Sequence, residues 1–264
     1  MKKWIKIAAW TLFALGTLVL LAFGRSYQSS KEMSAPEITL SIQDGIALIN
    51  EAEIETALLN ENLYYEGITQ EELDIKSIES FLKSRNEIEQ VDVYTRLSNN
   101  WFINAKIKRP LARIILPNKD DFYLDNNGKV MGLSPYAKPR ILTFTGLSSN
   151  IPIDVKYTDL INNDSLITKY KLSDSYRISR YVCNDDFYDA LIVQVHYTKE
   201  DGFVLTPRLG NHQIIFGHAK SAEEVTKKFE KLTTFYEEVI PYEGWDKYKT
   251  IDLRFKNQIV AKKK

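Results

Sequence analysis

The densest apolar stretch lies near the start of the chain, where residues 7–23 read IAAWTLFALGTLVLLAF and carry no charge. With its flanking residues this stretch approaches the ~20 residues that a helix needs to cross a bilayer core. Three lysines precede it, whereas two basic residues, Arg25 and Lys31, follow it, so the positive-inside rule places the N-terminus in the cytoplasm. The pattern predicts a transmembrane helix over 7–24, after a cytoplasmic tail of residues 1–6.

A cleaved signal peptide is the alternative interpretation of this stretch. It would also begin with basic residues, and Ala22-Phe23-Gly24 offers a small-residue cleavage site. The apolar run is longer than the 7 to 15 residues usual in signal peptides, which favours a retained anchor. Both interpretations export the rest of the chain.

Beyond a polar, aperiodic linker over 25–36, residues 37–109 follow the order strand, helix, helix, strand, strand. The strands show alternating apolar residues, and the helices show apolar residues at helical spacing. Asn50 and Asp74 are suited to cap the two helices, and Glu53 completes a capping box with Asn50.

Two turns delimit these strands. Asp44-Gly45 ends the first strand, and Ser98-Asn99-Asn100 joins the last two into a hairpin, because short polar residues favour turns. The segment therefore predicts a small α+β domain over 37–109.

Residues 110–261 predict a larger β-rich domain with packed helices. Phe122 to Met131 reads as a hairpin with an Asn-Gly turn. Residues 157–183 look helical, with breaks near Asn162-Asn163-Asp164 and Ser173-Asp174. A long amphipathic helix begins after Ser221 and ends before Pro241. A single strand over Thr250 to Ala261 closes the fold, followed by a basic tail of residues 262–264.

Composition narrows the class of function. Lysine plus arginine equal aspartate plus glutamate at 35 each, and such a neutral chain is not typical of a general nucleic-acid binder. Aromatic residues make up 12%, which argues against disorder. The single cysteine, Cys183, rules out an intrachain disulfide.

Catalytic and metal-binding patterns are weak. His212 and His218 straddle an apolar strand but lie six residues apart, and Cys183 has no activating partner nearby in the sequence, which is typical of a small buried hydrophobe. Asp125-Asn126-Asn127-Gly128 resembles a calcium loop only superficially and fits a hairpin turn better.

Three carboxylate pairs, Asp120-Asp121, Asp185-Asp186 and Glu237-Glu238, could in principle supply the acid and base of a glycan hydrolase. Adjacent carboxylates on loops and helix surfaces are usually solvated, so they do not by themselves indicate an active site. We therefore predict neither a catalytic residue nor a cofactor or metal.

Five segments in order resemble the bacterial cell-division family FtsQ/DivIB. The matching segments are IESFLKSRNEIEQVDVYTRLSNNWFINAKIKRPLARI (78–114), FYLDNNGKVMGLS (122–134), RILTFTG (140–146), LTPRLGNHQIIFG (205–217) and GWDKYKTIDLRFKNQIV (244–260). The resemblance implies an α+β fold in which a POTRA domain (37–109, β-α-α-β-β) follows the transmembrane helix and precedes the β-domain (110–261).

The resemblance also implies a function. Members of this family are non-catalytic scaffolds of the inner membrane at the division septum, with a periplasmic body that binds the coiled-coil proteins FtsB and FtsL by strand addition at a sheet edge. The partner-binding residues implied here are Asp252, Arg254, Phe255, Lys256, Asn257, Gln258, Ile259 and Val260.

Two other functions remain as alternatives. An assembly factor of another POTRA type would need repeated POTRA units or barrel strands, and an exported enzyme acting on cell wall would need a cleft with an acid and a base. Neither pattern is evident in the sequence.

Overall fold

The computed structural model describes residues 2–43, 45–96, 99–117, 120–152 and 154–264. Asp44 and Ser98, which belong to two of the predicted turns, lie outside the described residues. The chain forms two compact units. The N-terminal unit comprises Met1–Ile42 and Ile49–Ile107, and the C-terminal unit comprises Gln43–Leu48 and Lys108–Lys264.

The N-terminal unit begins with the predicted apolar helix. Helix α1 spans Lys2–Ser29, and within it Trp10–Ser29 is long and apolar enough to cross a membrane. It is the one such helix in the part of the chain that the structure describes. The helix extends past the predicted boundary at residue 24, because the sequence RSYQS contains neither glycine nor proline to end it.

The rest of this unit has the predicted order of elements. Its elements are β1 (Glu37–Ser41), α2 (Glu51–Asn60), α3 (Ile75–Ser84), β2 (Ile88–Thr95) and β3 (Trp101–Ile107). The sheet order is β1-β3-β2, with β1 parallel and β2 antiparallel to β3. The side chains of Asn50 and Asp74 accept amides of α2 and α3, and Glu53 closes the capping box, so these predicted caps are confirmed.

The segment predicted as a linker forms hydrogen bonds on both of its sides within the N-terminal unit. On one side its partners lie in the loop before α3, and on the other side they lie in the β2–β3 turn and at the start of β3. The bonds are Glu71 N to Ser29 O (3.1 Å), Gln70 N to Lys31 O (3.1 Å), Met33 N to Ile68 O (2.8 Å), Gln28 Nε2 to Asn99 Oδ1 (3.0 Å) and Trp101 Nε1 to Ser34 O (2.9 Å). The end of α1 is therefore fixed to the sheet of this unit and does not act as a loose connection.

The C-terminal unit contains nine strands and six α-helices within its described residues. Its strands are β4 (Pro110–Ile114), β5 (Phe122–Asp125), β6 (Val130–Met131), β7 (Leu142–Thr145), β8 (Ile192–Thr198), β9 (Gly202–Pro207), β10 (Gln213–Gly217), β11 (Tyr248–Asp252) and β12 (Val260–Lys263). Its helices are a 3-10 turn at Leu147–Ser149, α4 (Tyr157–Leu160), α5 (Asp164–Lys169), α6 (Leu172–Val182), α7 (Asp186–Leu191), α8 (Ala222–Glu238) and α9 (Ile240–Glu243).

One mixed sheet of order β12-β11-β10-β9-β8-β7-β4-β5-β6 organises this unit. Since side chains alternate along a strand, the register places one apolar row beneath the helices. Its buried members include Ile114, Phe144, Val195, Leu205, Ile214, Phe216 and Ile251. From α8, Phe229 stacks on Tyr181 of α6 (4.3 Å between centroids) and meets Phe216 of β10 (5.2 Å).

The opposite face of the sheet carries a polar row in register across six neighbouring strands. Its members are Arg113, Thr143, Gln194, Thr206, Gln213 and Thr250, and each is partly or fully exposed. The α+β class is confirmed, and the sheet has one helix-covered face.

Local predictions in this unit were mostly confirmed. The Asn-Gly hairpin forms as β5 and β6, and Ser221 caps α8 by accepting the amide of Glu224. The break at Asn162-Asn163 separates α4 from α5. The second predicted break was misplaced by a few residues, since α6 begins at Leu172 and the interruption falls at Lys171, whose φ is +66°.

Gly146 allows β7 to turn beside β8. Its φ is +82°, and a Cβ at this position would overlap the carbonyl oxygen of Tyr197. Gly67 has a similar φ of +85° but no atom within 4 Å of the corresponding Cβ position.

We expect Gly146→Ala to destabilise its unit by more than about 2 kcal/mol, because left-handed strain of about 1–2 kcal/mol adds to the overlap. Gly67→Ala should show the strain alone. Thermal unfolding of both variants tests this, and equal shifts in Tm would contradict it.

Candidate partner-binding site

The predicted final strand is two strands. β11 ends at Asp252, residues 253–259 form a connection, and β12 pairs antiparallel to β11 from Val260. The prediction of one strand over 250–261 was therefore wrong. Alternation in IDLRF continued past the point where the backbone leaves the sheet, and Asn257 and Gln258 belong to the turn, in keeping with the preference of asparagine for turns.

Arg254 is committed to contacts within the chain. Its guanidinium donates to Oδ1 (3.0 Å) and Oδ2 (2.7 Å) of Asp252 and to Asp201 in the β8–β9 turn (3.0 Å). Its side chain lies on Gly217, where an added Cβ would come within 2.8 Å of Arg254 Cγ. Asp252 and Arg254 thereby fix the start of the connection, and their nomination as partner-binding residues stays a prediction.

Electrostatics match this geometry. Burial of Asp252 works to raise the pKa of its carboxyl, but the hydrogen bonds and charge of Arg254 outweigh it and hold that pKa below its usual value. The pair is therefore ionised in the neutral pH range, and it shapes the turn as an ion pair.

Lys231 of α8 holds the connection from below. Its Nζ donates to the carbonyl of Phe255 (2.6 Å) and to that of Leu253 (3.2 Å). Sequence reasoning missed this residue. A signal was available in the sequence: Lys228 and Lys231 are interleaved in α8 with the buried residues Phe229 and Leu232. Long lysine side chains at such positions can extend along apolar surface and place their ammonium groups beyond it.

The remaining nominated residues present most of the free surface of the connection. Phe255 is 44% exposed and Val260 is 42% exposed, whereas Ile259 is partly buried and packs against the core. Lys256, Asn257 and Gln258 are exposed. The structure thus brings the eight nominated residues into one hairpin, where they have three kinds of contact. Asp252 and Arg254 form an ion pair within the chain, Ile259 packs against the core, and the other five are exposed.

A groove runs beside this surface, between the connection and the first half of α8. It has a volume of about 360 Å³, and its lining includes Leu253, Phe255, Lys256, Lys227 and Lys231. Glu223 and Glu224 also line it, and they pair with Lys227 and Lys228. Exposed Phe255 therefore stands at the border of a recess that carries charges of both signs.

The direction of the backbone in β11 can be read from one bond beyond its end. The amide of Leu253 donates to the carbonyl of Ile215, which lies in β10 (2.9 Å). Backbone groups of successive residues in a strand point to opposite sides. Thr250 and Asp252 therefore turn their N–H and C=O groups toward β12.

The same alternation defines the outer edge of β12. Val260 and Lys262 stand opposite Asp252 and Thr250, so they bond inward. Ala261 and Lys263 consequently direct their N–H and C=O groups away from the sheet. Since β12 is the last strand in the sheet order, this edge offers two residues with the alternating donors and acceptors that an added strand requires.

A buried histidine supports the base of the hairpin. His212 is 2% exposed, its Nε2 lies 2.9 Å from the hydroxyl of Tyr236, and its ring stacks near Trp245, just before β11. Burial lowers the pKa of His212, so the imidazole is neutral in the folded protein at neutral pH.

The other candidate residues have structural roles. His212 is buried while His218 is exposed, and no group of His, Cys, Asp or Glu among the described residues is arranged to hold a metal ion. Cys183 Sγ contacts the carbonyl of Leu111 (3.5 Å). Asp125 accepts two amides of its own turn, from Asn127 and Lys129 (2.8 Å each), as a hairpin turn requires.

The carboxylate pairs are likewise accounted for in part. Asp121 binds Arg113 (2.6 Å) and the amide of Leu116 (3.2 Å). Asp185 caps α7 by accepting the amides of Phe187 and Tyr188 (3.0 Å each).

The N-terminal unit thus contains a helix long and apolar enough to cross a membrane, and the sheet of the C-terminal unit ends in an accessible edge strand. The family described as FtsQ/DivIB, C-terminal related, matches residues 109–262. The chain therefore belongs to the FtsQ/DivIB-related family and has a role in cell division. No curated protein sequence matches the chain.

We expect Lys231→Met to destabilise the C-terminal unit by about 1–2 kcal/mol, because two carbonyls lose a charged donor while the aliphatic stem is preserved. Lys227→Met is the matched control, since Lys227 forms an exposed ion pair with Glu223 and its loss should have little effect. Urea unfolding and hydrogen exchange at residues 253–257 provide the measurement. Equal effects of the two substitutions would show that Lys231 does not brace the connection.

Stability should fall with pH below about 6.5 because of His212. The unfolded side chain titrates near 6.5, whereas the folded one resists protonation, so its contribution is complete above that pH and is lost as the pH falls. The slope from this residue can reach about 1.4 kcal/mol per pH unit. His212→Gln should flatten the fall in unfolding free energy between pH 7 and 5, whereas His196→Gln, at an exposed site, should not. Parallel curves for wild type and His212→Gln would refute this.

Proposed function

We propose that this protein is a non-catalytic, membrane-anchored scaffold of the bacterial division machinery that binds FtsB- and FtsL-type coiled-coil proteins by strand addition to β12. The observation that carries the proposal is the outward-facing backbone of Ala261 and Lys263 at the end of the nine-stranded sheet. The family membership supports the setting in cell division.

The anchoring part of the proposal rests on α1. Its apolar stretch Trp10–Ser29, with three lysines before it, suits a single-pass inner-membrane protein whose N-terminus is cytoplasmic and whose body is periplasmic. Enrichment at the septum belongs to the same proposal. The same proposal assigns residues 37–109 to a POTRA domain and residues 110–261 to the β-domain. It takes residues 1–6 as a cytoplasmic tail, 7–24 as the anchor, 25–36 as the connecting segment and 262–264 as the basic end.

Strand addition at β12 requires no rearrangement of the hairpin. Arg254, Asp252 and Lys231 hold the connection in place from within, so the edge is presented in a fixed position, which lowers the entropy cost of binding. Exposed Phe255 and Val260 beside the edge supply apolar area for the partner. The division scaffold is therefore better supported than an exported enzyme or an assembly factor built of several POTRA units, because the family match points to cell division.

Proline at position 261 tests the edge directly. Ala261→Pro removes an N–H that points away from the sheet, so the intrachain ladder keeps its bonds. We expect binding of the full-length chain, in a neutral detergent, to the FtsB/FtsL-type pair from the same cell to weaken tenfold or more, since a backbone bond is lost and the ring obstructs the added strand.

Ala261→Val is the matched control, because it keeps the N–H and favours a strand. Binding should be retained in this variant. The two variants should show similar thermal unfolding. A proline variant that is folded and binds with unchanged affinity would remove strand addition at β12, and wild-type protein that binds neither partner would overturn the scaffold proposal itself.

A further inference from the structure

The hairpin that ends the chain has an uneven charge distribution. Asp252 is the last carboxylate residue in the sequence, and all charged side chains after it are basic: Arg254, Lys256, Lys262, Lys263 and Lys264. The chain as a whole is neutral. Several of these basic groups face carboxylates elsewhere in the unit, so the charge of the accessible edge depends on which of them remain unpaired.

Two of these lysines are engaged on the chain itself. Lys263 Nζ lies 3.7 Å from Glu243 and near the ring of Tyr248, and Lys264 Nζ lies 3.9 Å from Asp246. Lys262 differs, since no carboxylate in the described part of the chain lies within ion-pair distance of it. Its side chain is exposed.

Lys262 shares a face of the sheet with Val260. The two are separated by one residue on β12, so their side chains point the same way, and both lie on the face that the helices leave uncovered. Val260 is 42% exposed. A strand added to β12 would thus place one side chain beside a free ammonium group and another, two residues away, beside an apolar surface.

We infer that the segment that binds β12 is an acidic strand, in which a carboxylate faces Lys262 and an apolar side chain two positions away faces Val260. This inference rests on the proposed strand addition and specifies the chemistry of its partner. A strand antiparallel to β12 reads acidic, any residue, apolar from N to C, and a parallel strand reads the reverse. The residue between the two lies on the same side as Ala261, which packs against the core.

Physical chemistry favours a charged partner at this position. Like charges directly opposite each other on neighbouring strands are destabilising, whereas opposite charges stabilise the pair. An edge lysine also discourages pairing with a second copy of the same edge, since two copies would bring lysines together. Lys262 therefore selects an acidic strand and rejects its own kind.

Three synthetic heptapeptides test the inference, Thr-Val-Val-X-Val-Val-Thr with glutamate, glutamine or lysine at X, so that a valine lies two positions from X on the same face in either strand direction. Their binding to the full-length chain in a neutral detergent is measured by fluorescence anisotropy at low and high salt. We expect the glutamate peptide to bind about 1.5- to 5-fold more tightly than the glutamine peptide at low salt, with the lysine peptide weakest. The differences should shrink in high salt.

Charge reversal at one position assigns the effect. Lys262→Glu should reverse the order of the glutamate and lysine peptides, whereas Lys138→Glu, an exposed lysine beyond β6 at the other end of the sheet order, should leave the order unchanged. Equal binding of the glutamate and glutamine peptides, an order that survives Lys262→Glu, or no binding of any peptide would each overturn the inference.

The same variants separate this inference from the proposed function. Binding of the FtsB/FtsL-type pair that is lost in Ala261→Pro but indifferent to Lys262→Glu and to salt would leave strand addition standing and refute the acidic partner. Absence of binding by that pair, together with glutamate-selective peptide binding, would refute the proposed partners and retain the acidic-strand site.

Discussion

The burial of one continuous face of the nine-stranded sheet beneath α6 and α8 is the constraint on which the C-terminal unit depends. Tyr181, Phe229 and Phe216 form its aromatic centre, and each large side chain buried in this way contributes about 1.5–3 kcal/mol. Because α8 must lie on this face, its lysines reach the end of β11. The packing of the core thus decides where the backbone leaves the sheet and where the last strand begins.

The accessible hairpin therefore inherits its shape from distant parts of the chain. Lys231 comes from α8 and Asp201 comes from the β8–β9 turn, and both converge on residues 253–255. Among the exposed side chains of the hairpin, Phe255 and Val260 are the large apolar ones. The polar groups of Asp252, Arg254 and Lys231 are used within the fold. The exposed part of the hairpin includes backbone groups and these apolar side chains.

Local signals in the sequence accounted for much of the fold. Caps at Asn50, Asp74 and Ser221 act within four residues, so a linear pattern contains them in full. The β5–β6 hairpin follows from its Asn-Gly turn for the same reason. The family was also predictable, because the closing segment and four others resembled it, and the family match covers residues 109–262.

The distribution of roles within the candidate site could not be predicted from the sequence. Alternation in IDLRF looks the same whether the chain continues as a strand or turns, and the turn is selected by bonds from α8, more than twenty residues away. The outward direction of the Ala261 and Lys263 backbone could not be predicted, because the direction of a backbone N–H depends on sheet register, and the composition of a segment does not specify its register. The polar segment after α1 likewise appeared aperiodic, since its bonding partners, such as Ile68 and Asn99, lie far along the chain.

The bonded segment after α1 has a mechanical consequence. A flexible connection of about a dozen residues would let its ends separate and rotate over roughly 20 Å. The hydrogen bonds of Ser29, Lys31 and Met33 restrict that freedom, because they tie the end of the helix to the rest of the N-terminal unit. Membrane helices adapt to bilayer thickness by tilting, and the bonds at the end of α1 offer a route by which such a tilt would be passed to the sheet of this unit.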